Sequence, residues 1–246
     1  MIKRPYSWRL SALASLLLAL LNQACSTAVQ VPSNRFESPE ASGGLGHGSL
    51  EGNMSGTNEI VIQHSVLDDN WKPIYDDPAL NRSYTMGFGA KLGLLEFVDI
   101  GAETPGIVKA KVQLIGAPKT KMGSGQFSAA VTGSAGRWKG SGIGLDFTTF
   151  TPDRTDMFDA SAVLGQRINR HFLIYGGPFY SQYNYQNTFL SEPVYRGRIQ
   201  QRGLHAGLEF NVENYCLMVE GTTTQVISGR LNKRTYHAGF EYSFVF

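Results

Sequence analysis

The feature that most constrains this chain is a two-residue periodicity that returns, in segments of about ten residues broken by turn residues, from about residue 46 to the last residue. "SYTMGFGAKL" sets Tyr84, Met86, Phe88, Ala90 and Leu92 against Thr85, Gly87, Gly89 and Lys91. "IVKAKVQLIG" sets Val108, Ala110, Val112 and Leu114 against Lys109, Lys111 and Gln113, and "LHAGLEFNV" sets Leu204, Ala206, Leu208 and Phe210 against His205, Gly207, Glu209 and Asn211. Alternation of this kind reads as strands with one apolar and one polar face. The 28 glycines and 25 Phe and Tyr residues (14 and 11) favour strands and tight turns over helices.

Soluble β-sandwiches alternate too, with water on the polar face. Here the polar face is rich in Gly, Ser and Thr with isolated charges, which suits a confined interior. Phe and Tyr lie near strand ends, where rings settle at headgroup level. Beyond the leader no run reaches the roughly 18 apolar residues of a spanning helix, so a chain that crosses a bilayer must do so as a closed barrel. The expectation is an all-β fold: a closed antiparallel up-and-down transmembrane β-barrel of about twelve strands, with ten or eight as alternatives. The twelve are 46–54, 57–65, 82–92, 95–103, 106–116, 125–135, 139–150, 154–167, 171–184, 198–211, 215–228 and 232–246. The tight connections at Thr104-Pro105, Asn169-Arg170 and Glu213-Asn214 then share the periplasmic side. The longer ones, 117–124 and 185–197, fall outside. The segment 66–81, with Pro73 and Pro78, is the exception, long yet periplasmic.

The first 24 residues have the parts of a secretory signal: Lys3, Arg4 and Arg9, then an apolar core Leu10–Leu21. "LNQAC" resembles a bacterial lipoprotein cleavage site, with Asn22 departing from the usual apolar residue. The resemblance implies lipidation of Cys25, and Ser26 resembles the residue that permits sorting to the outer membrane. Ordinary cleavage after Ala28 is the alternative. Residues 25–45 read as a flexible periplasmic tether, and 46–246 as the barrel.

The last strand, "GFEYSFVF", carries Gly239, Tyr242, Phe244 and a terminal Phe246. It resembles the carboxy-terminal signal by which the outer-membrane assembly machinery recognises its barrel clients. The stretches "KLGLLEFVDIGAETPGIVKAKVQLIG" and "VLGQRINRHFLIYGGPFYSQYNY" resemble hairpins of small bacterial outer-membrane barrels. The resemblance implies an outer-membrane location, with membrane lipid and the assembly machinery as partners.

By strand parity Lys91, Asp99, Glu103, Lys109, Lys111, Asp146, Asp159, Arg167, Glu209, Glu220 and Glu241 face the interior, as ion pairs filling it or as a pore lining. Lys91 is expected near Asp99, and Glu103 near Lys109. His205, Glu220 and His237 form a conceivable acid/base or metal cluster, while His64-Ser65, neighbours on a strand, point apart. Cys216 beside Glu220 lacks the electropositive neighbour of a reactive thiol. With Lys+Arg 22 against Asp+Glu 20 nothing points to nucleic acid. The loop 185–197, with Tyr185, Phe189, Tyr195 and Arg196, is the candidate for an extracellular partner. The expected role is structural or that of a minor passive channel, without catalysis, metal or cofactor. A lipid-modifying enzyme and an adhesion barrel are the alternatives.

Overall fold

The structure is a computed structural model that describes residues 25–67, 73–75, 78–121, 123–139, 149–150, 152–189 and 192–246. Its strands are β1 (Cys25–Pro32), β2 (Gly48–Leu67), β3 (Pro73–Tyr75), β4 (Ala79–Leu95), β5 (Val98–Glu103), β6 (Ile107–Ile115) and β7 (Phe127–Trp138). They continue as β8 (Thr149–Phe150), β9 (Arg154–Asn169), β10 (Phe172–Phe189), β11 (Glu192–Val212), β12 (Tyr215–Ser228) and β13 (Leu231–Val245). Ten of them, all but β1, β3 and β8, form an antiparallel ring, each paired with the ring strand before it, and β13 returns to β2 from Val245↔Ser49 to Phe240↔Met54. Closure leaves the sheet without long open edges there.

The strand number therefore differs from twelve at two places. Residues 46–54 and 57–65 are one strand, β2. Its Gly56 is no turn: a Cβ there would lie 2.6 Å from the Cβ of His237, so glycine lets β2 pass close to β13. Among the described residues no ring strand falls within 139–150: β7 pairs directly with β9 (Ser134↔Asp159), and Thr149–Phe150 pair in parallel with β1. The first change reverses strand parity and the second restores it. Thr104-Pro105 consequently lies at the end away from the carboxy-terminus, together with the 67–78 connection. The 117–124 segment lies at the carboxy-terminal end with the turns after Asn169 and Val212. The expected loop 185–197 is mostly strand, the tip of the β10–β11 hairpin.

Over the half toward the carboxy-terminal end the outward face is apolar, with Met86 75% exposed, Leu204 58% and Tyr236 61%; among the described residues more than thirty large apolar side chains stand exposed. Inward-facing Glu209, Glu220 and Arg167 are fully buried at the same levels. Farther along the same strands both faces invert. On β11 the outward series Phe210, Leu208, Leu204 gives way to exposed Arg202, Arg198 and Arg196. Inside, Tyr183, Tyr185, Ile199, Val226 and Leu231 join Val29, Val31, Ile60 and Ile62 in an apolar cluster.

Beyond Met54, β2 exchanges β13 for β1, which pairs with it from Pro32↔Thr57 to Cys25↔His64. The side of β2 that was outward at Leu50 is now covered, with Asn58 bonded to the inward-facing His237 at 3.0 Å. The β1–β2 pair is thus tucked inside β10–β13, and face-to-face packing replaces the backbone ladder at this seam.

Residues 33–47 then run through the lumen toward the carboxy-terminal end and reverse into β2. The segment expected as a flexible tether is a fixed strap across the interior. Its exit turn needs glycine: Gly43, Gly44 and Gly46 have φ of 107°, 99° and 91°, in the region that side chains disfavour. Gly239 faces the strap, and a Cβ on it would approach Met54 O at 2.6 Å, Asn34 Oδ1 at 2.7 Å and the Phe36 ring at 2.8 Å. Gly239→Val is therefore expected to cost about 1–3 kcal/mol by overpacking. A heat-modifiability gel reads the effect as a lower midpoint; an unchanged midpoint means that the strap does not sit against β13.

Candidate functional site

The lumen around the strap is the place where this chain concentrates its polar chemistry. A buried charge is tolerable only when paired and hydrogen-bonded, and the strap, "SNRFESPEASG", supplies partners along its whole run. The Glu220 carboxylate accepts the backbone N–H of Arg35 at 2.6 Å and of Phe36 at 2.9 Å, with the Tyr175 hydroxyl at 3.3 Å and His205 Nδ1 at 3.0 Å. Asn34 accepts from the Gly56 N–H at 2.8 Å and donates to the Glu220 carbonyl at 3.0 Å.

Arg35 reaches the nearby wall of β9 and β10. Its Nε is 3.0 Å from Asp159, it donates to Ser181, and its guanidinium lies 4.2 Å above the centre of the Phe179 ring. Phe36 enters an apolar pocket of Val163, Leu173, Tyr175, Cys216 and Met218. Glu37 accepts from Thr132 at 2.7 Å and from Ser161.

Toward the carboxy-terminal end the strap meets a second charged group. Arg167 holds Glu40 through Nε at 2.8 Å and Nη2 at 2.5 Å, and reaches Glu209 at 2.9 Å. Lys111 donates to the Glu40 carbonyl at 2.5 Å and pairs with Asp99 at 2.9 Å, and Asp99 accepts the Ser42 N–H at 2.9 Å. Gln113 accepts the Ala41 N–H at 2.7 Å. The 3-10 turn Lys119–Lys121 closes this end: the Lys119 N–H bonds to the Ala41 carbonyl at 2.8 Å, and its ammonium lies 3.1 Å from Glu209. Burial is the largest influence and works against the charge on Lys119, but the surrounding acidic groups, Glu209 foremost and Glu40 behind it, together outweigh it and hold the pKa above the ordinary lysine value.

Lys91, Asp99, Lys109, Lys111, Arg167, Glu209, Glu220 and Glu241 all lie on the inward face, and Asp146 is outside the described residues. Glu103 pairs with Lys109 as expected. Lys91 pairs with Glu51 at 2.6 Å instead of Asp99; Asp99 is taken by Lys111 across the β5–β6 ladder. Of His205, Glu220 and His237, the first two meet at 3.0 Å, whereas His237 turns to Asn58 and the Glu220 carboxylate is also taken by the strap. Cys216 is buried beneath Phe36. The side chains of His64 and Ser65 lie outside the described residues. In the expected partner loop, Tyr185 points inward and is buried, Arg196 is exposed, and the side chains of Phe189 and Tyr195 lie outside the described residues.

Of the carboxy-terminal motif, Tyr242 and Phe244 face outward and pack on Tyr215 with ring centroids 5.7 and 5.6 Å apart. Phe246 closes the seam through two backbone bonds to Gly48, of 2.9 and 3.0 Å.

The residues that sequence reasoning missed are those of the strap: Asn34, Arg35, Phe36, Glu37 and Glu40. Their local signal was that of a linker. The only hint was a mixed set of inward charges with no solvent to meet. Between the strap and the β4–β7 wall lies a cavity of about 340 Å³, bordered by Glu37, Glu103, Lys109, Trp138, Met157 and Tyr183. The wall is lowest here, because β5 ends at Glu103 and β6 begins at Ile107. Comparison with family models, with curated protein sequences and with solved structures finds no match to this chain.

Removing the Glu220 carboxylate would leave two consecutive buried amides without an acceptor, each at about 1–3 kcal/mol. Trypsin is expected to spare the Arg35–Phe36 bond in the folded protein and to cut it in Glu220→Ala, as read by mass spectrometry of the fragments. Equal protection in both would mean that Glu220 does not hold the strap.

Proposed function

We propose that the chain is a bacterial outer-membrane β-barrel with a structural role, kept shut by its own amino-terminal strap. One observation carries this reading: outward polarity and inward polarity exchange places at one level along the same strands. A barrel surrounded by water has no reason to expose Leu, Phe and Tyr over one half and Arg and Gln over the other. Soluble monomers rarely expose apolar patches beyond a few hundred Å².

On β11 the apolar stretch covers residues 204–212, and on β13 residues 236–246. These match the roughly 9–11 residues of a tilted strand crossing a hydrocarbon core. Aromatic rings lie at both edges of the belt, with Tyr84, Phe158, Tyr180 and Tyr236 at one and Phe210, Tyr215, Tyr242 and Phe244 at the other. Such girdles settle at the two membrane–water interfaces. The secretory leader and the aromatic carboxy-terminus support the same reading.

The carboxy-terminal end faces the periplasm in this arrangement, and the Arg-rich end stands outside. The strap enters from the outer mouth, so Cys25, paired through its backbone with His64, opens toward the cell surface. Acyl chains on Cys25 would then be presented at the outer leaflet, where a simple tether would have held them on the periplasmic side. Of the two roles expected from the sequence, the structural one is favoured over the passive channel, because conduction requires the strap to leave. A lipid-modifying reaction at His205 and Glu220 faces the same obstacle.

The purified mature chain is expected to stay folded and monomeric only in detergent or lipid; a stable monomer in plain buffer would end the membrane reading. In planar bilayers the intact barrel is expected to be electrically silent, and deletion of residues 26–43 to give stepwise conductance. Steady conductance from the intact protein would remove the plugged, structural role and restore the channel.

A further inference from the structure

The polar half of the outer wall carries a charge pattern that neither the plug nor the closure of the barrel uses. On β9–β13, among the described residues, its outward charged side chains are Arg154, Arg196, Arg198, Arg202 and Arg234, with Asp156 as the acid among them, and all five arginines are exposed. The strand register gathers them. Gln186 is paired with Arg196 on one side and Arg154 on the other, and the adjacent row runs Arg198, Asn184, Asp156, Arg137. Gln225 is likewise flanked by Arg202 and Arg234.

The first two rows border an open groove of about 590 Å³, lined by Arg154, Arg196, Arg198, Asn184, Gln186 and the single acid Asp156. Asp156 is already shared by Arg154 at 2.9 Å and Arg137 at 2.5 Å. Among the described residues Arg198 has only the Asn184 amide, at 3.3 Å, and Arg196 meets no acid.

A cluster of exposed guanidinium groups in excess over acids repels itself unless an anion joins it, and planar forks suit phosphate oxygens. The position selects the source. The groove stands two to four residues beyond Phe158, the last belt residue on β9, or ~7–13 Å along the strand. That is the height of a headgroup whose acyl chains lie on the belt. We propose that this arginine groove binds the phosphate-bearing headgroup of an outer-leaflet membrane lipid. The inference rests on the membrane reading above and adds a ligand class to it.

The test uses the intact barrel in neutral detergent, with phosphatidic acid and phosphatidylcholine of equal chain length as probes, scored by native mass spectrometry. Phosphatidic acid is expected to be retained preferentially. The triple variant R154Q/R196Q/R198Q is expected to lose on the order of a hundredfold of that affinity, at about fivefold per surface cation. The triple lysine variant should keep most of it. Heat-modifiability midpoints should match across the three proteins, which separates binding from folding. Equal retention of the two lipids, or of phosphatidic acid by wild type and glutamine variant, overturns the proposal. So does full displacement of the lipid by millimolar inorganic phosphate, which would mark a free-phosphate site. A barrel that needs detergent yet ignores phosphate refutes this inference alone and leaves the membrane reading intact.

Discussion

Everything in this molecule depends on finding partners for charge inside a narrow tube. The lower lumen holds Asp99, Lys111, Asp159, Arg167, Glu209 and Glu220, all nearly inaccessible to solvent. A buried ion left without a partner costs several kcal/mol. The wall satisfies part of this need through pairs such as Lys111 with Asp99. The rest is met by the strap, whose amides cap Glu220 and Asp99 and whose Arg35 and Glu40 neutralise Asp159 and Arg167. Strap and wall are therefore one hydrogen-bonded unit. A ten-strand ring leaves room for an extended chain with small side chains such as Ser, Ala and Gly, and "SPEASG" is composed accordingly.

The inversion of polarity organises the remainder. Where the outer face is apolar, the lumen is ionic and needs the strap. Where the outer face is polar, the lumen is apolar, and β1 with the far half of β2 fills it as a conventional core. The seam between β2 and β13 reflects this division. A backbone ladder closes it over the apolar belt from Ser49 to Met54, and side-chain packing closes it beyond. The arginines of the outward face sit just past this change of regime, so the same boundary that divides the two cores also sets the level of the proposed anion groove.

Much of the wall was legible in the amino-acid order. Alternation in "SYTMGFGAKL" or "LHAGLEFNV" assigned the faces of β4 and β11, and parity alone put Lys109, Arg167, Glu209 and Glu220 on the inside. The strand number was not legible, because Ser55-Gly56 has the composition of a turn while serving a close approach to His237. Pairing partners were also hidden: Lys91 and Asp99 lie on neighbouring strands, but register gives each a nearer partner in Glu51 and Lys111. Segment 185–197 read as one of the longer connections, whereas the ladder continues almost to the tip.

Residue by residue, the sequence by itself determined an all-β wall with one apolar and one polar face, because side-chain direction in a strand follows from a period of two and needs no knowledge of neighbours. It could not determine what stands inside the wall. Residues 33–43 have no periodicity and few apolar groups, so their order comes from contacts with side chains that lie more than a hundred positions away, such as Arg167, Glu209 and Glu220. Only the tertiary structure decided that a linker-like segment is the plug, because the acceptors for its amides exist only once the barrel has closed around it.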